Sequence, residues 1–177
     1  GRLKVPGWDL ALDAMAASPD RHRLVVETAL RAAGEGPTVL LSERRGYAWT
    51  LARELRTRGL RVQTLFGGAG RAADCTRCGE IPEVEESAPS SCPACGVRLL
   101  SRGEHNAEVL RLVETGMVRI IVGTSVADKG LDSPRLSRAV VVLPSSGGRG
   151  KPVSARLIQQ VGRLSRPAAG KADAVLY

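Results

Sequence analysis

Apolar positions along this chain switch repeatedly between a period near 3.6 and short continuous runs, and that alternation predicts a parallel α/β sheet flanked by helices. Ser18-Pro19 reads as a cap followed by proline at the first helical position. It opens a helix over 19–33 with Leu24, Val25, Thr28, Ala29 and Ala32 on its apolar face, closed by Gly34 and Gly36. A strand follows at 38–41, a helix at 46–58 stopped by Gly59, a strand at 60–66 and a helix at 105–115 stopped by Gly116. The Val, Ile and Leu runs at 118–122 and 139–143 have the character of strands buried on both faces. A helix at 153–165 and a last strand at 172–177 complete the series. Ahead of it, Trp8, Leu10, Leu12 and Met15 make an amphipathic lead-in over 1–18, either a helix packed on the main domain or a linker to another. The main domain spans 19–177.

The alternation stops between Phe66 and His105, and cysteines replace it. Cys75-x-x-Cys78 and Cys92-x-x-Cys95 are followed directly by Gly79 and Gly96. A glycine at that place lets the backbone turn its amides toward the sulfurs, and four thiolates complete a closed tetrahedral site. Structural Zn2+ is the expected occupant of an insert over 69–101. An iron–sulfur centre, a disulfide pair or free thiols would use the same residues, although a reducing compartment opposes stable disulfides. His22 and His105 sit among charged residues at helix starts; both read as solvated and neither is needed as a metal ligand.

Charge changes the picture next. The 177 residues carry a net charge of +8, which favours a polyanionic partner. The insert holds Arg71, Arg77 and Arg98 against Asp74, Glu80, Glu83, Glu85 and Glu86, so the positive excess lies elsewhere. The insert therefore reads as a protein-docking or strand-separating element. Only Trp8, Tyr47, Trp49, Phe66 and Tyr177 are aromatic, too few for a base-stacking platform, so contacts to a nucleic acid fall on its backbone. With no run of about 18 apolar residues and no charged-then-apolar leader, the expectation is a cytoplasmic protein without a membrane partner.

Two stretches carry the chemistry. One is Gln159-Gln160-Val161-Gly162-Arg163-Leu164-Ser165-Arg166, with two arginines three residues apart on one helical face, a spacing suited to gripping a polyphosphate. The other is Gly123-Thr124-Ser125-Val126-Ala127-Asp128-Lys129-Gly130-Leu131-Asp132, an apolar run ending in Gly-Thr and leading to Gly-x-Asp. Together they resemble motifs VI and V of superfamily 2 helicases and translocases, in the second RecA-like lobe. Gln159 stands where DEAD-box proteins carry His, so the resemblance is nearer to the DNA-repair and phage-type group.

The resemblance implies roles. Arg163 and Arg166 would be the arginine fingers that meet ATP bound mainly by the other lobe, with Gln159 ordering them. Gly130, Asp132 and Gly162 would lie on the nucleotide side. Thr124 and Ser125 would touch the nucleic-acid backbone, as would Ser42 and Arg44 after the first strand and Gly67 and Gly68 after the second. Ser42 and Arg44 fall in a loosely defined motif, and Glu43-Arg44-Arg45 reads equally as a solvated loop. No phosphate-cradling Gly-x-x-x-x-Gly-Lys-Ser/Thr loop and no Asp-Glu metal-holding box occur; Gly147-Gly148-Arg149-Gly150-Lys151 runs into Pro152 instead. Such parts sit on the first lobe in the family. The chain is thus expected to be the second lobe of a longer protein that uses ATP and Mg2+ at the lobe interface and acts on DNA more than RNA. The alternative is a RecA-like lobe kept as a non-catalytic docking module, with the zinc element as its contact.

Overall fold

A computed structural model describes residues 7–80, 89–124, 133, 135–143, 162, 166–167 and 171–177. In it, Ser18 caps the long second helix: its hydroxyl accepts from the Arg21 amide at 3.4 Å, and Pro19 takes the first turn. The elements run α1 (Trp8–Ala17), α2 (Pro19–Glu35), β1 (Thr38–Ser42), α3 (Arg45–Thr57), β2 (Val62–Leu65), α4 (Arg102–Glu114), β3 (Ile120–Gly123), β4 (Arg138–Leu143) and β5 (Val175–Leu176).

The five strands form one sheet in the order β2-β3-β1-β4-β5, every pair parallel. The predicted parallel α/β sheet is the architecture found. β1 is buried along its whole length because helices cover both its faces. Leu40, Ile120, Val122, Val140 and Val142 meet Val26, Ala29, Leu51 and Leu55 of α2 and α3. Val39, Leu41, Ile121 and Ala139 meet Val109, Leu112 and Val113 of α4. The pleat sends alternate residues to opposite layers, so a one-residue slip would exchange the two cores.

Several expectations shift. α2 buries Val25, Val26, Ala29, Ala32 and Ala33, while Leu24 stands 62% exposed, so the buried stripe lies one position from the expected one. α1 is a helix with Leu12 in the core, but Leu10 is exposed. α4 begins at Arg102 because Ser101 and Glu104 form a reciprocal capping box, a signal the reading from 105 overlooked. β5 is two residues long, shorter than the predicted run. Of the helix expected at 153–165 only Gly162 lies within the described residues, and it is helical.

At the end of the sheet where the strands begin, Arg138 is buried and donates to Glu35 at 3.1 Å and Asp173 at 2.6 Å, tying the end of α2 to β4 and the approach to β5. The Tyr177 hydroxyl, and then Arg138, hold the Glu35 carboxyl below the usual carboxylate range.

The insert leaves and rejoins the body at an antiparallel bridge between Arg71 and Ser101. It lies along the outer side of β2, the edge strand. The Thr64 amide, which a further strand would otherwise take, donates to Asp74 at 2.8 Å, and the Thr64 hydroxyl donates to the other carboxylate oxygen at 2.8 Å. Gln63 donates to the Cys75 carbonyl at 3.1 Å. His105 Nε2 lies 3.1 Å from Asp74, both side chains almost fully buried. The expectation that His105 is solvated is therefore wrong: it joins α4 to the insert beneath the surface. His22 is half-buried, its Nδ1 3.3 Å from the Tyr47 hydroxyl, and is not simply solvated either.

Candidate functional site

Two groups of residues carry candidate chemistry, and the fold separates them. The first lies where β2, β3 and β1 end. Their register aligns Leu65, Gly123 and Leu41 in one row, so Phe66-Gly67, Thr124 and Ser42 follow at one level on three neighbouring strands. At about 4.8 Å between strands, these three chain exits span about 10 Å of one sheet edge.

Each exit has its own local support. After β1 the chain turns sharply: the Ser42 hydroxyl donates to the Arg44 carbonyl at 3.0 Å and accepts from the Arg44 amide at 3.2 Å. That turn starts α3 with Arg44 in the capping position, no side-chain cap and no acidic residue in the first turn. A helix start of this kind, positive by its peptide dipoles, faces the same edge and favours an anion there. Arg44 itself is half-buried and pairs with Asp13 of α1 at 2.9 Å, so it is held in place and is not the freely solvated loop residue of the blander reading. Gly68 has φ +108°, a left-handed conformation that favours glycine, and it lets the chain leave β2 abruptly.

Sequence reasoning missed three residues beside these exits. Arg45 places its guanidinium 4.9 Å from the centre of the Phe66 ring, a cation–π contact. Asn106 donates to the Phe66 carbonyl at 2.9 Å, and Arg102 to the Arg71 carbonyl at 3.1 Å. The capping box at Ser101 was the available signal, since it sets α4's first turn, with Arg102 and Asn106, against the end of β2. Other sequence-predicted residues, Ser125, Gly130, Asp132, Gln159 and Arg163, lie outside the described residues. Gly162 and Arg166 are described and exposed, and the Arg166 carbonyl accepts from Lys171 at 3.2 Å.

The second group is the cysteine cluster. Cys75, Cys78, Cys92 and Cys95 bring their sulfurs within 4.8 Å of one another. Each pair forms the same turn: Gly79 donates to Cys75 and Gly96 to Cys92 across it, at 2.8 and 2.9 Å. The chain then pairs back, with Cys75 donating to Glu80 at 2.9 Å and Cys92 to Val97 at 2.7 Å. Gly79 and Gly96 adopt φ +74° and +70°, so glycine is needed at both. Backbone amides aim at the sulfurs: those of Arg77 and Cys78 at Cys75, of Glu80 at Cys78 and of Val97 at Cys95.

The sulfurs fit a metal ion. Bonds of about 2.3 Å in a tetrahedron place sulfurs about 3.8 Å apart; Cys75 and Cys95 stand 3.7 Å apart, and Cys78 and Cys92 3.6 Å. These separations exclude disulfide bonds, which need about 2.05 Å. Burial pushes the Cys75 thiol up and the Cys78 thiol up to about 12, while the Val97 amide draws Cys95 down to about 7. A bound cation reverses the burial effect, because coordinating thiols are held as thiolates.

No protein-family model matches the chain, and no curated protein matches it by sequence. Solved structures match its fold. The C-terminal domain of the DEAD-box protein Dbp5 aligns with TM-score 0.58 at 16% identity, covering 90% of this chain and 69% of that one. The Pyrococcus furiosus Hef helicase domain aligns with TM-score 0.51 at 19% identity, covering 90% of this chain and 26% of that one. S. cerevisiae Dbp5 bound to RNA and ADP BeF3 aligns with TM-score 0.58 at 16% identity, covering 89% of this chain and 31% of that one. At such identities the likeness is one of fold. The fold is RecA-like, and the Dbp5 C-terminal domain and the Hef helicase domain share it.

Proposed function

We propose that this chain is the C-terminal lobe of an ATP-dependent nucleic-acid helicase or translocase, with a zinc-binding insert over 69–101 and a lead-in over 1–18. The observation that carries the proposal is the convergence of Ser42, Arg44, Gly67, Gly68 and Thr124 on one edge of three adjacent parallel strands. These are the residues that the helicase resemblance had singled out for backbone contact, with Ser125 beside Thr124. Arg45 adds a cation at the same edge. Contacts there are to phosphates and carry little sequence information.

The proposed cycle needs a second lobe. That lobe would bring ATP and Mg2+, which supply the transferable phosphoryl group and neutralise part of its charge. Arg163 and Arg166 of this chain then stabilise charge developing in the transition state, and Gln159 orients them. Gly130, Asp132 and Gly162 line the nucleotide side. Closure and relaxation of the two lobes shift the backbone grip along the strand. DNA is the proposed substrate because Gln159 replaces the DEAD-box His. RNA is the competing one, since the Dbp5 neighbour was solved with RNA. The four thiolates suit zinc in a reducing, cytoplasmic setting.

The test uses the two-lobe protein with saturating DNA or RNA. Arg166→Ala is expected to lower ATP turnover by about 10³ to 10⁵ with far less change in nucleotide affinity, as for comparable arginine fingers. Arg166→Lys is expected not to rescue, because lysine lacks the planar fork. The 177-residue chain alone is expected to turn over no ATP, having no phosphate-cradling loop. Near-normal turnover in both Arg166→Ala and Arg163→Ala would overturn the assignment and leave the docking-module reading in its place.

A further inference from the structure

The first cysteine turn packs against the body along a groove of about 430 Å³ that includes Arg56, Arg61, Arg77 and Cys78 in its lining. Three of these are arginines, and among the described residues the lining holds no acidic side chain. This contrasts with the acidic composition of the insert, and the structure shows part of the reason: Asp74 is turned inward onto Thr64 and His105.

The heads of Arg56 and Arg61 are held by the knuckle backbone. Arg56, near the end of α3, donates to the Cys78 carbonyl at 2.8 Å. Arg61, just before β2, donates to the carbonyls of Thr76 and Arg77 at 3.1 and 3.2 Å. Gly79 is part of the fit, because a Cβ there would stand 2.6 Å from Arg56 Nη1. Each guanidinium has five N–H donors, so these bonds fix its position and leave others for a ligand. Among the described residues no carboxylate pairs with Arg56, Arg61 or Arg77. Arg58, close by, differs: the Glu54 carboxylate takes two of its donors at 2.9 and 2.8 Å.

Guanidinium forks in a groove, two of them fixed and none paired with a carboxylate among the described residues, suit phosphate oxygens. The groove sits where β2 begins, whereas Gly67 and Gly68 sit beyond its end, with the length of the strand, about 13 Å at about 3.3 Å per residue, between them. We propose that this groove is a second phosphate-binding site for a nucleic-acid strand, and that the metal-bound knuckle holds its arginines in place. The proposal rests on the nucleic-acid reading above and adds a contact that depends on the metal.

The test is anisotropy of labelled single-stranded DNA and RNA 20-mers titrated with the 177-residue chain between 50 and 200 mM salt. Each lost phosphate contact lowers the slope of log affinity against log salt by about 0.7 for single strands. Arg61→Ala/Arg77→Ala is expected to lower it by about 1.4, making the affinity change over that fourfold salt range about 7-fold smaller. Arg77→Ala alone, whose side chain bonds nothing in the body, is expected to lose about 0.7 with metal content unchanged. Arg58→Ala is expected to keep the parent slope. Chelation is expected to reduce the parent's slope and leave the double variant's unchanged. A parent slope in both arginine variants overturns the second site, and so does an Arg58→Ala loss as large as theirs. If Arg44→Ala still weakens binding in that case, the first surface stands alone. Absence of binding by the parent overturns both.

Discussion

Replacing Asp74 by alanine is expected to cost the domain about 2–6 kcal/mol, because it leaves two buried donors without their acceptor at about 1–3 kcal/mol each. The Asp74 side chain is 1% exposed and accepts from two buried donors. It accepts from the Thr64 amide and hydroxyl, each at 2.8 Å, and faces His105 at 3.1 Å. Alanine leaves both Thr64 donors buried without their acceptor. Against a total stability of about 5–15 kcal/mol the loss is large. Asp74→Asn keeps one acceptor and turns an amide group on the other donor, so it should cost less, about 1–3 kcal/mol. Urea unfolding followed by circular dichroism, at equal metal loading, measures both. A cycle with Thr64→Val should show coupling of about 1 kcal/mol or more, because the two side chains share a bond. The reasoning fails if Asp74→Ala unfolds within about 0.5 kcal/mol of the parent, the scale of an ordinary surface substitution.

Elemental analysis of the purified chain should find one zinc per molecule, and Cys78→Ser should abolish it while circular dichroism shows the sheet still folded. Limited proteolysis of that variant should cut first within 69–101, because a structural metal of this kind contributes to local folding outright. Glu35 sets a pH dependence. Its carboxyl is held below the ordinary value of 4.5, so its contribution to stability is complete above that value and is lost as the pH falls through the lowered one. Glu35→Gln should therefore flatten the acid limb of urea midpoints measured between pH 6 and 3, and an unchanged limb would rule the pairing out as its source.

The sheet was legible because its signals are local. The runs at 38–41, 118–122 and 139–143 needed no partner to be read as strands, and Ser18-Pro19 announced α2 within two residues. The four cysteines were equally plain, since a tetrahedral site is encoded by spacing alone. What stayed hidden depends on contacts distant in sequence. His105 follows Gly103 and Glu104 and looks solvated in a window of that size; its partner Asp74 comes from across the insert, 31 residues away. The exposed Leu24 and the buried Val26 differ because α1 and the sheet fix the rotation of α2, which periodicity fixes only to within one position. The groove of Arg56, Arg61 and Arg77 was obscured because two of these arginines belong to the body and one to the insert, and they meet only in the fold.

The way the insert lies along β2 bears on how the domain fails. A bare edge strand offers its amides to any passing chain, and natural sheets guard against that with charge, bulges or cover. Here the guard is Asp74 and the segment that carries it, which also brings together four cysteine sulfurs placed to hold a metal. If the four cysteines hold the proposed zinc, its loss should do more than loosen a surface loop: it should uncover a strand able to zip onto its counterpart in a second molecule. Oxidative stress or a strong chelator would then drive the lobe into insoluble assemblies while most of its core is still intact. Deleting 69–101 to obtain a smaller, simpler domain would invite the same fate.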